Sequence, residues 1–314
     1  MSAGQNKSKS EHPGIEGYDR KPIGRFAPSP TGELHFGSLV AAVGSFLQAK
    51  ARGGRWLVRI EDIDPPREVT GAAERQLHTL ARFGLVPDAP VRFQSSHRPR
   101  HDAALANLLR ATQAFPCSCS RSDLPTNGVY PGTCRTGLAP GRKARSIRLR
   151  VGPETVVFDD LVFGKQSQIP AQQTGDFVIR RADGLIAYQL AVVVDDAADG
   201  ITEVVRGRDL LESTGRQILL QRALGLPVPA YMHLPLVVDR NGRKLSKSQA
   251  DDPVAHLSPE KALSLALQAL GHFPPVECSD IDQLWSWALR HWSPARIPRS
   301  SVIVQEGRLE GYTP

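Results

Sequence analysis

The chain has 314 residues, 40% apolar and 23% charged, enough for one sizeable core or for a main domain with an insertion and a small tail. No apolar run is long enough to span a membrane, and the polar first twenty residues, with Lys7, Lys9 and Arg20, show no secretory signal. The net charge of +7 suits a polyanionic partner and equally serves solubility, and four cysteines, three of them clustered, do not read as a disulfide framework, so a cytoplasmic protein is expected.

Residues 1–21 read as a disordered leader. An apolar strand at 23–27 turns through Pro28, Pro30 and Gly32 into a helix at about 37–52, where Leu39, Val40, Val43, Phe46 and Leu47 recur at helical intervals. A helix start offers unpaired N–H groups and a partial positive charge, a natural seat for phosphate. His35 can donate a hydrogen bond there, and Gly37 allows close backbone approach. The next strand, 55–61, alternates Trp56, Val58 and Ile60 with Leu57, Arg59 and Glu61, then meets Glu61, Asp62 and Asp64. Ligands of open α/β sheets gather at carboxyl ends of strands, which places Glu61 to meet an amino group or a ribose. Helices at about 67–84 and 98–114 are expected to bury Ala73, Leu77, Leu80 and Ala81, and Ala103, Ala104, Leu105, Leu108 and Leu109. Residues 22–114 thus form the first half of an α/β domain.

Residues 115–150 change character. Cys117, Cys119 and Cys134 in a reducing compartment suggest zinc, and a fourth ligand could be water, Asp123 or the Tyr130 phenolate. Arg142, Lys143, Arg145, Arg148 and Arg150 give a strand with one basic face, either solvated or tracking phosphates. The second half of the domain, 151–248, holds a hairpin signal at Asp183–Gly184, the stretch Tyr188–Asp196, a buried-type strand at Ile201–Val205 and a helix at 209–224. Arg206 ends that strand, where a guanidinium can fork onto a carboxylate. After a strand at 234–238, the basic loop Lys244-Leu245-Ser246-Lys247-Ser248 suits a mobile clamp for polyphosphate. Residues 249–314 are expected to be helical, with helices from Ser258–Pro259 to about Leu270 and from Ser279 to Trp292, whose tryptophans belong to a core rather than a base-stacking platform. Cys278 is isolated and reads as a core residue.

His35-Phe36-Gly37-Ser38 and Lys244-Leu245-Ser246-Lys247-Ser248 resemble the two signatures of class I aminoacyl-tRNA synthetases. Arg25-Phe26-Ala27-Pro28-Ser29-Pro30-Thr31-Gly32 and Arg59-Ile60-Glu61-Asp62-Ile63-Asp64 resemble the glutamyl branch. Cys117, Cys119, Tyr130 and Cys134 are similar to the zinc ligands of glutamyl-queuosine tRNA(Asp) synthetases, and the resemblance covers nearly all of the chain beyond the leader. It implies an α/β fold, a Rossmann-like doubly wound parallel sheet with a small zinc-bearing insertion and a helical C-terminal region without an anticodon-binding domain. It implies a monomer that activates L-glutamate with ATP and transfers it to queuosine of tRNA(Asp). In the implied site, Arg25, Ser29, Glu61, Tyr188 and Arg206 hold glutamate. His35, Gly37, Ser38 and Lys247 bind ATP, Lys244 and Lys247 act in the catalytic loop, and magnesium accompanies ATP. Tyr130 becomes the fourth ligand of one structural zinc. One departure is Ser38, which stands where many class members have a second histidine. The competing readings are a conventional glutamyl-tRNA synthetase charging a tRNA 3′ end, another adenylate-forming nucleotidyltransferase and a non-catalytic RNA-binding paralogue.

Overall fold

The structure, a computed structural model, describes residues 21–239, 243, 254, 257–305 and 308–310. Residues 1–20 of the expected 1–21 leader and the loop from Lys244 to Ser248, with its two lysines, lie outside the described residues. The first segment runs β1 (Ile23–Phe26), α1 (Phe36–Lys50), β2 (Arg55–Ile60), α2 (Ala72–Arg82), β3 (Arg92–Phe93) and α3 (Arg98–Arg110). Next come β4 (Ala114–Cys117) and β5 (Ser146–Leu149), then β6 (Val156–Asp160), β7 (Gly164–Gln168), the single turn α4 (Pro170–Gln173), β8 (Val178–Arg180) and α5 (Tyr188–Ala198). The chain continues with β9 (Glu203–Gly207), α6 (Thr214–Leu224), β10 (Ala230–Leu234) and β11 (Val237–Val238), then α7 (Pro259–Ala269), α8 (Ile281–His291), β12 (Val302–Gln305) and β13 (Arg308–Glu310).

Parallel pairing joins β1, β2 and β3 on one side and β9, β10 and β6 on the other, with β7 antiparallel at the far edge. The two sets meet where β1 faces β9: Thr202 N–H donates to the Ile23 carbonyl at 2.9 Å, and Arg25 Nη1 donates to the Val205 carbonyl at 3.4 Å. Strand order reverses at that junction, and open α/β sheets bind ligands at the carboxyl ends beside such a reversal.

The alternation of β2 does not mark one solvated face, because both faces are covered. Trp56 packs edge-on against Phe46 of α1 and donates its indole N–H to Ser45 Oγ, while Leu57 joins the opposite core with Leu190, Ala191 and Val194 of α5. One core therefore lies among the sheet, α1, α7 and α8, and a second among the sheet, α3, α5 and α6. Burying each Leu, Val or Phe in them contributes about 1.5–3 kcal/mol. Gly44 lets α1 approach β10, since a Cβ there would meet Leu234 Cδ1 at 2.6 Å.

Several elements differ from the sequence expectation. The basic stretch yields only β5, which pairs antiparallel with β4 and β8, and Arg148 is buried rather than solvated. The hairpin at Asp183–Gly184 keeps its turn, with Gly184 at φ 85°, but its return strand is one bridge between Arg180 and Ile186. The helix expected at 209–224 starts as a 3-10 segment, Arg208–Ser213, before α6. The C-terminal region is not purely helical: β12 pairs parallel with β11, and β13 returns antiparallel on β12. The tryptophans do sit in a core, with Trp285 buried and its N–H on the Phe83 carbonyl at 2.8 Å, and Cys278 packs partly buried against the same core. No helix among the described residues is long and apolar enough to cross a membrane.

Candidate active site and metal centre

A cavity of about 720 Å³ opens at the carboxyl ends of β1 and β9, and Arg25, Ser29, His35, Gly37, Ser38, Glu61, Tyr188 and Arg206 all line it. The Pro28–Gly32 turn is pinned from outside its own sequence. Glu61 N–H donates to the Pro28 carbonyl at 2.9 Å, Val69 N–H to Pro30, and Gln76 of α2 to the carbonyls of Ser29 and Gly32. Gly32 itself holds φ 136°.

His35 is the N-cap of α1, with extended backbone, and its Nδ1 accepts the Ser38 N–H at 3.2 Å. A ring nitrogen that accepts there leaves the imidazole proton on Nε2. Gly37 makes this packing feasible, because a Cβ at that position would lie 3.0 Å from His35 Cε1 and 3.1 Å from Nδ1. The first turn of α1 carries no acidic residue, so its positive end faces the cavity uncompensated by a local carboxylate.

Behind the cavity lies a buried charge cluster. Asp196 of α5 takes Arg25 Nε at 3.1 Å and Arg59 Nη2 at 2.7 Å. Arg59 also donates to Glu61 at 3.3 Å and to Asp199 at 3.0 Å. Burial alone would raise the Asp196 carboxyl, but Arg25 and Arg59 outweigh it and hold the group below the usual carboxylate range. Glu61 goes the other way: burial pushes it up, and Arg59 and Arg25 offset that only in part. Tyr188 is also raised, chiefly by burial, with Arg206 opposing. Beyond this cluster Asp195 accepts from Gln94 at 2.8 Å and lies 3.0 Å from His101 Nε2.

Arg206 is anchored by the Gln217 amide oxygen at 2.7 Å, Thr214 Oγ1 at 2.9 Å, His233 Nε2 at 3.0 Å and the Leu210 carbonyl at 3.3 Å. Four acceptors for five guanidinium N–H groups leave one to address the cavity. The cavity therefore combines three arginines, Arg25, Arg67 and Arg206, two carboxylates, Glu61 and Asp209, and a helix start. That set can grip a small molecule bearing an ammonium and carboxylates beside a polyphosphate.

The sequence did not single out Asp196, Gln76 or His233, and Arg59 entered only as part of a strand and of the motif that ends at Asp64. One signal was available: Tyr188, Asp195, Asp196 and Asp199 recur on one face of an otherwise apolar helix, and acids there need buried partners.

The cysteine cluster forms as expected. The sulfurs of Cys117, Cys119 and Cys134 lie within 4.8 Å of one another, and Cys119 and Cys134 are 3.7 Å apart. Tetrahedral zinc with bonds of about 2.3 Å to sulfur separates two sulfurs by about 3.8 Å, and a sulfur from a ligating oxygen by about 3.6 Å. The Tyr130 hydroxyl lies 3.5 Å from Cys117 Sγ and accepts the Cys134 N–H at 2.8 Å, so the donor set fits a metal. Asp123 is instead engaged in capping its own turn through Ser120. Burial raises Cys119 to about 11, reinforced by Cys134 and Cys117. For Cys134 burial is outweighed by hydrogen bonds from the Ser118 N–H and Tyr130, which hold it at about 6. Arg148 corrects the basic-face expectation: its Nε donates to Cys117 Sγ at 3.3 Å, Nη1 to the Asp176 carbonyl at 2.7 Å, and its guanidinium stacks 3.9 Å above the Tyr130 ring. Tyr130 also bridges to Gly175, whose positive φ brings the two backbones together.

A second, basic cleft of about 870 Å³ lies beside the cysteine cluster, lined by Arg67, Arg121, Arg145 and Arg181 with Asp64 and Asp183. Arg67 borders both cavities.

The sequence pattern of the family described as "tRNA synthetases class I (E and Q), catalytic domain" matches residues 23–127 and 133–261. The chain is 53% identical over 291 residues to the glutamyl-Q tRNA(Asp) synthetase of Xanthomonas campestris pv. campestris, covering 91% of this chain and 97% of that one. It is 49% identical over 287 residues to the protein of that name from Pseudomonas aeruginosa, covering 90% and 98%. Among solved structures, the glutamate-tRNA synthetase of Elizabethkingia anophelis superposes with a TM-score of 0.76 at 26% identity, covering 91% of this chain and 68% of that one.

Proposed function

The chain belongs to the class I tRNA synthetases of the glutamate and glutamine branch, and from that premise we propose that it is the ligase that activates L-glutamate with ATP and esterifies queuosine at the wobble position of tRNA(Asp). Relatives at about half identity over nearly their whole length carry the name glutamyl-Q tRNA(Asp) synthetase, which favours this reading over charging of a tRNA 3′ end. The observation that carries the activation step is the single cavity that joins Arg25, Arg206 and Glu61 to the His35-capped start of α1.

In the first step a glutamate carboxylate oxygen attacks the α-phosphorus of ATP. A P–O bond forms, the bond to the β-phosphate breaks, and pyrophosphate leaves with glutamyl-adenylate bound. In the second, a hydroxyl of the queuosine cyclopentenediol attacks the acyl carbon, AMP departs, and the hydroxyl proton passes to solvent. Adenylation asks the protein for alignment and charge neutralisation rather than covalent chemistry. Glu61 takes the substrate ammonium, Arg25, Arg206, Ser29 and Tyr188 take the carboxylates, and His35 Nε2–H with the backbone at Gly37 and Ser38 meets the phosphates. Lys244 and Lys247 would close on the polyphosphate, and magnesium bound with ATP would supply further neutralising charge. One zinc held by Cys117, Cys119, Cys134 and Tyr130 would serve structure, since four protein ligands leave no open position. The basic cleft beside it gives the RNA backbone a path that reaches the cavity at Arg67. The chain acts as a monomer in the cytoplasm.

Glutamate-dependent exchange of pyrophosphate into ATP without any RNA tests the activation step. Exchange driven by glutamate, and not by glutamine or aspartate, is expected. Exchange that required added tRNA would contradict it.

A further inference from the structure

Asp160, His233 and Arg206 run in line across three neighbouring strands. The parallel registers set Tyr231 of β10 opposite Asp160 of β6 and His233 opposite Arg206 of β9. His233 Nδ1 lies 2.6 Å from Asp160 Oδ2, and both side chains are fully buried. Asp160 is an acceptor on every side: it also receives the N–H groups of His233, Val162 and Phe163. Asp160 presents an acceptor to each of these donors, and His233 Nε2 accepts from Arg206, so the Nδ1 facing Asp160 carries the ring proton. His233 Nε2 is then a lone pair, and it receives Arg206 Nε–H at 3.0 Å. Thr214 of α6 accepts from Arg206 Nη2 and Gln217 of α6 from Nη1, which leaves one Nη1 N–H over, and Gln217 is fixed in turn by the Gln189 amide oxygen at 2.9 Å.

We propose that His233, kept neutral with its proton on Nδ1 by Asp160, is the positioning residue that aims Arg206 at the glutamate carboxylate, and that protonating His233 releases that aim. The inference rests on the reading of Arg206 as a glutamate-binding cation. A protonated imidazole would set Nε2–H against the Arg206 Nε–H and place two cations in contact. Asp160 from β6, Arg206 from β9, Thr214 from α6 and Asp209 from the turn before α6 surround the ring, with Tyr231 stacked beside it. Burial and Arg206 depress the imidazole pKa below its ordinary value, against Asp160 and Asp209. Glutamate KM should therefore climb on the acid side of the usual histidine range while ATP KM does not. Glu61, raised by burial, also loses charge in acid, so the two contributions must be separated.

Two substitutions separate them. In His233→Gln the amide oxygen can replace Nε2 as acceptor and nothing titrates. In His233→Asn the amide N–H can replace Nδ1, and the acceptor for Arg206 is gone. Pyrophosphate exchange is measured from about pH 5 to about pH 8, the span over which a histidine changes charge. For His233→Asn, glutamate KM should rise about tenfold at every pH, as for one lost hydrogen bond to a charged group, with kcat and ATP KM within about twofold. His233→Gln should stay within about threefold of the wild type at neutral pH and lose the histidine share of the acid rise, keeping only that of Glu61. Nitrogen-15 spectra of the histidine-labelled wild type, which has nine histidines, provide a second measurement that needs no variant to fold. They should place the His233 proton on Nδ1. A proton on Nε2, equal KM effects of the two substitutions, or superimposable pH profiles of wild type and His233→Gln would each overturn the proposal. Failure of the underlying reading is visible separately, as absence of glutamate-dependent exchange in the wild type or an unchanged glutamate KM in Arg206→Lys.

Discussion

Replacing Asp196 with asparagine should cost the protein more stability than any single substitution at the cavity rim. Asp196 accepts from Arg25 through both carboxylate oxygens and from Arg59 at 2.7 Å, and the two arginines are 3% and 1% exposed. Asparagine keeps the shape but turns one acceptor into an N–H donor facing a guanidinium. Arg59 retains Glu61 and Asp199, whereas Arg25 loses the one carboxylate it pairs with among the described residues. Removing one partner of a buried ion pair costs about 3–5 kcal/mol. That corresponds to a fall in melting temperature of roughly 10 °C for a chain of this size. The pH dependence gives a second reading. The folded-state pKa of Asp196 is depressed, so its contribution is fully present above the ordinary carboxylate value of about 3.9 and fades as pH falls through the depressed one. The stability gap between wild type and Asp196→Asn should therefore narrow only in strong acid. Urea unfolding of the ligand-free proteins across pH measures both. A loss below about 1 kcal/mol, typical of solvated surface pairs, would show that the cluster is hydrated and not a desolvated ion-pair network.

Three further outcomes follow from the site. Gly37→Ala pushes a methyl to within 3.1 Å of two His35 ring atoms, and displacing that ring should lower kcat of exchange about tenfold or more, with glutamate KM little changed; an unchanged kcat would count against the phosphate role of His35. Protein purified without chelator should carry one zinc per chain by elemental analysis, and Tyr130→Phe should bind it more weakly; equal affinity would remove tyrosine from the ligand set. Lys247→Ala should cut kcat far more than it raises glutamate KM, because the lysine would act mainly as phosphate charge develops.

The parts of the site that were legible in the sequence are local ones. The turn Pro28–Gly32, the helix start at His35 and the strand ends at Glu61 and Arg206 each declare themselves within a few residues, through proline, glycine and apolar period. What was not legible joins residues far apart in the chain. Arg25 meets Asp196 across 171 positions, where α5 packs on the sheet, and His233 meets Asp160 across 73, where strand order brings β10 beside β6. Arg148 alternates with apolar neighbours as a solvated arginine would, yet it is buried against Cys117 and Tyr130, the nearer of which lies 18 positions away in the chain. The C-terminal strands could have been inferred from Val302-Ile303-Val304, a β-branched run that the two preceding helices overshadowed.

The destination of the glutamyl group is read by offering radiolabelled glutamate and ATP with queuosine-containing tRNA(Asp), the same tRNA with unmodified guanosine, and tRNA(Glu). Label confined to the anticodon fragment of queuosine-containing tRNA(Asp), and abolished by prior periodate oxidation of the diol, is the expected result. Label on the 3′ end of tRNA(Glu), or equal label on unmodified tRNA(Asp), would contradict the account.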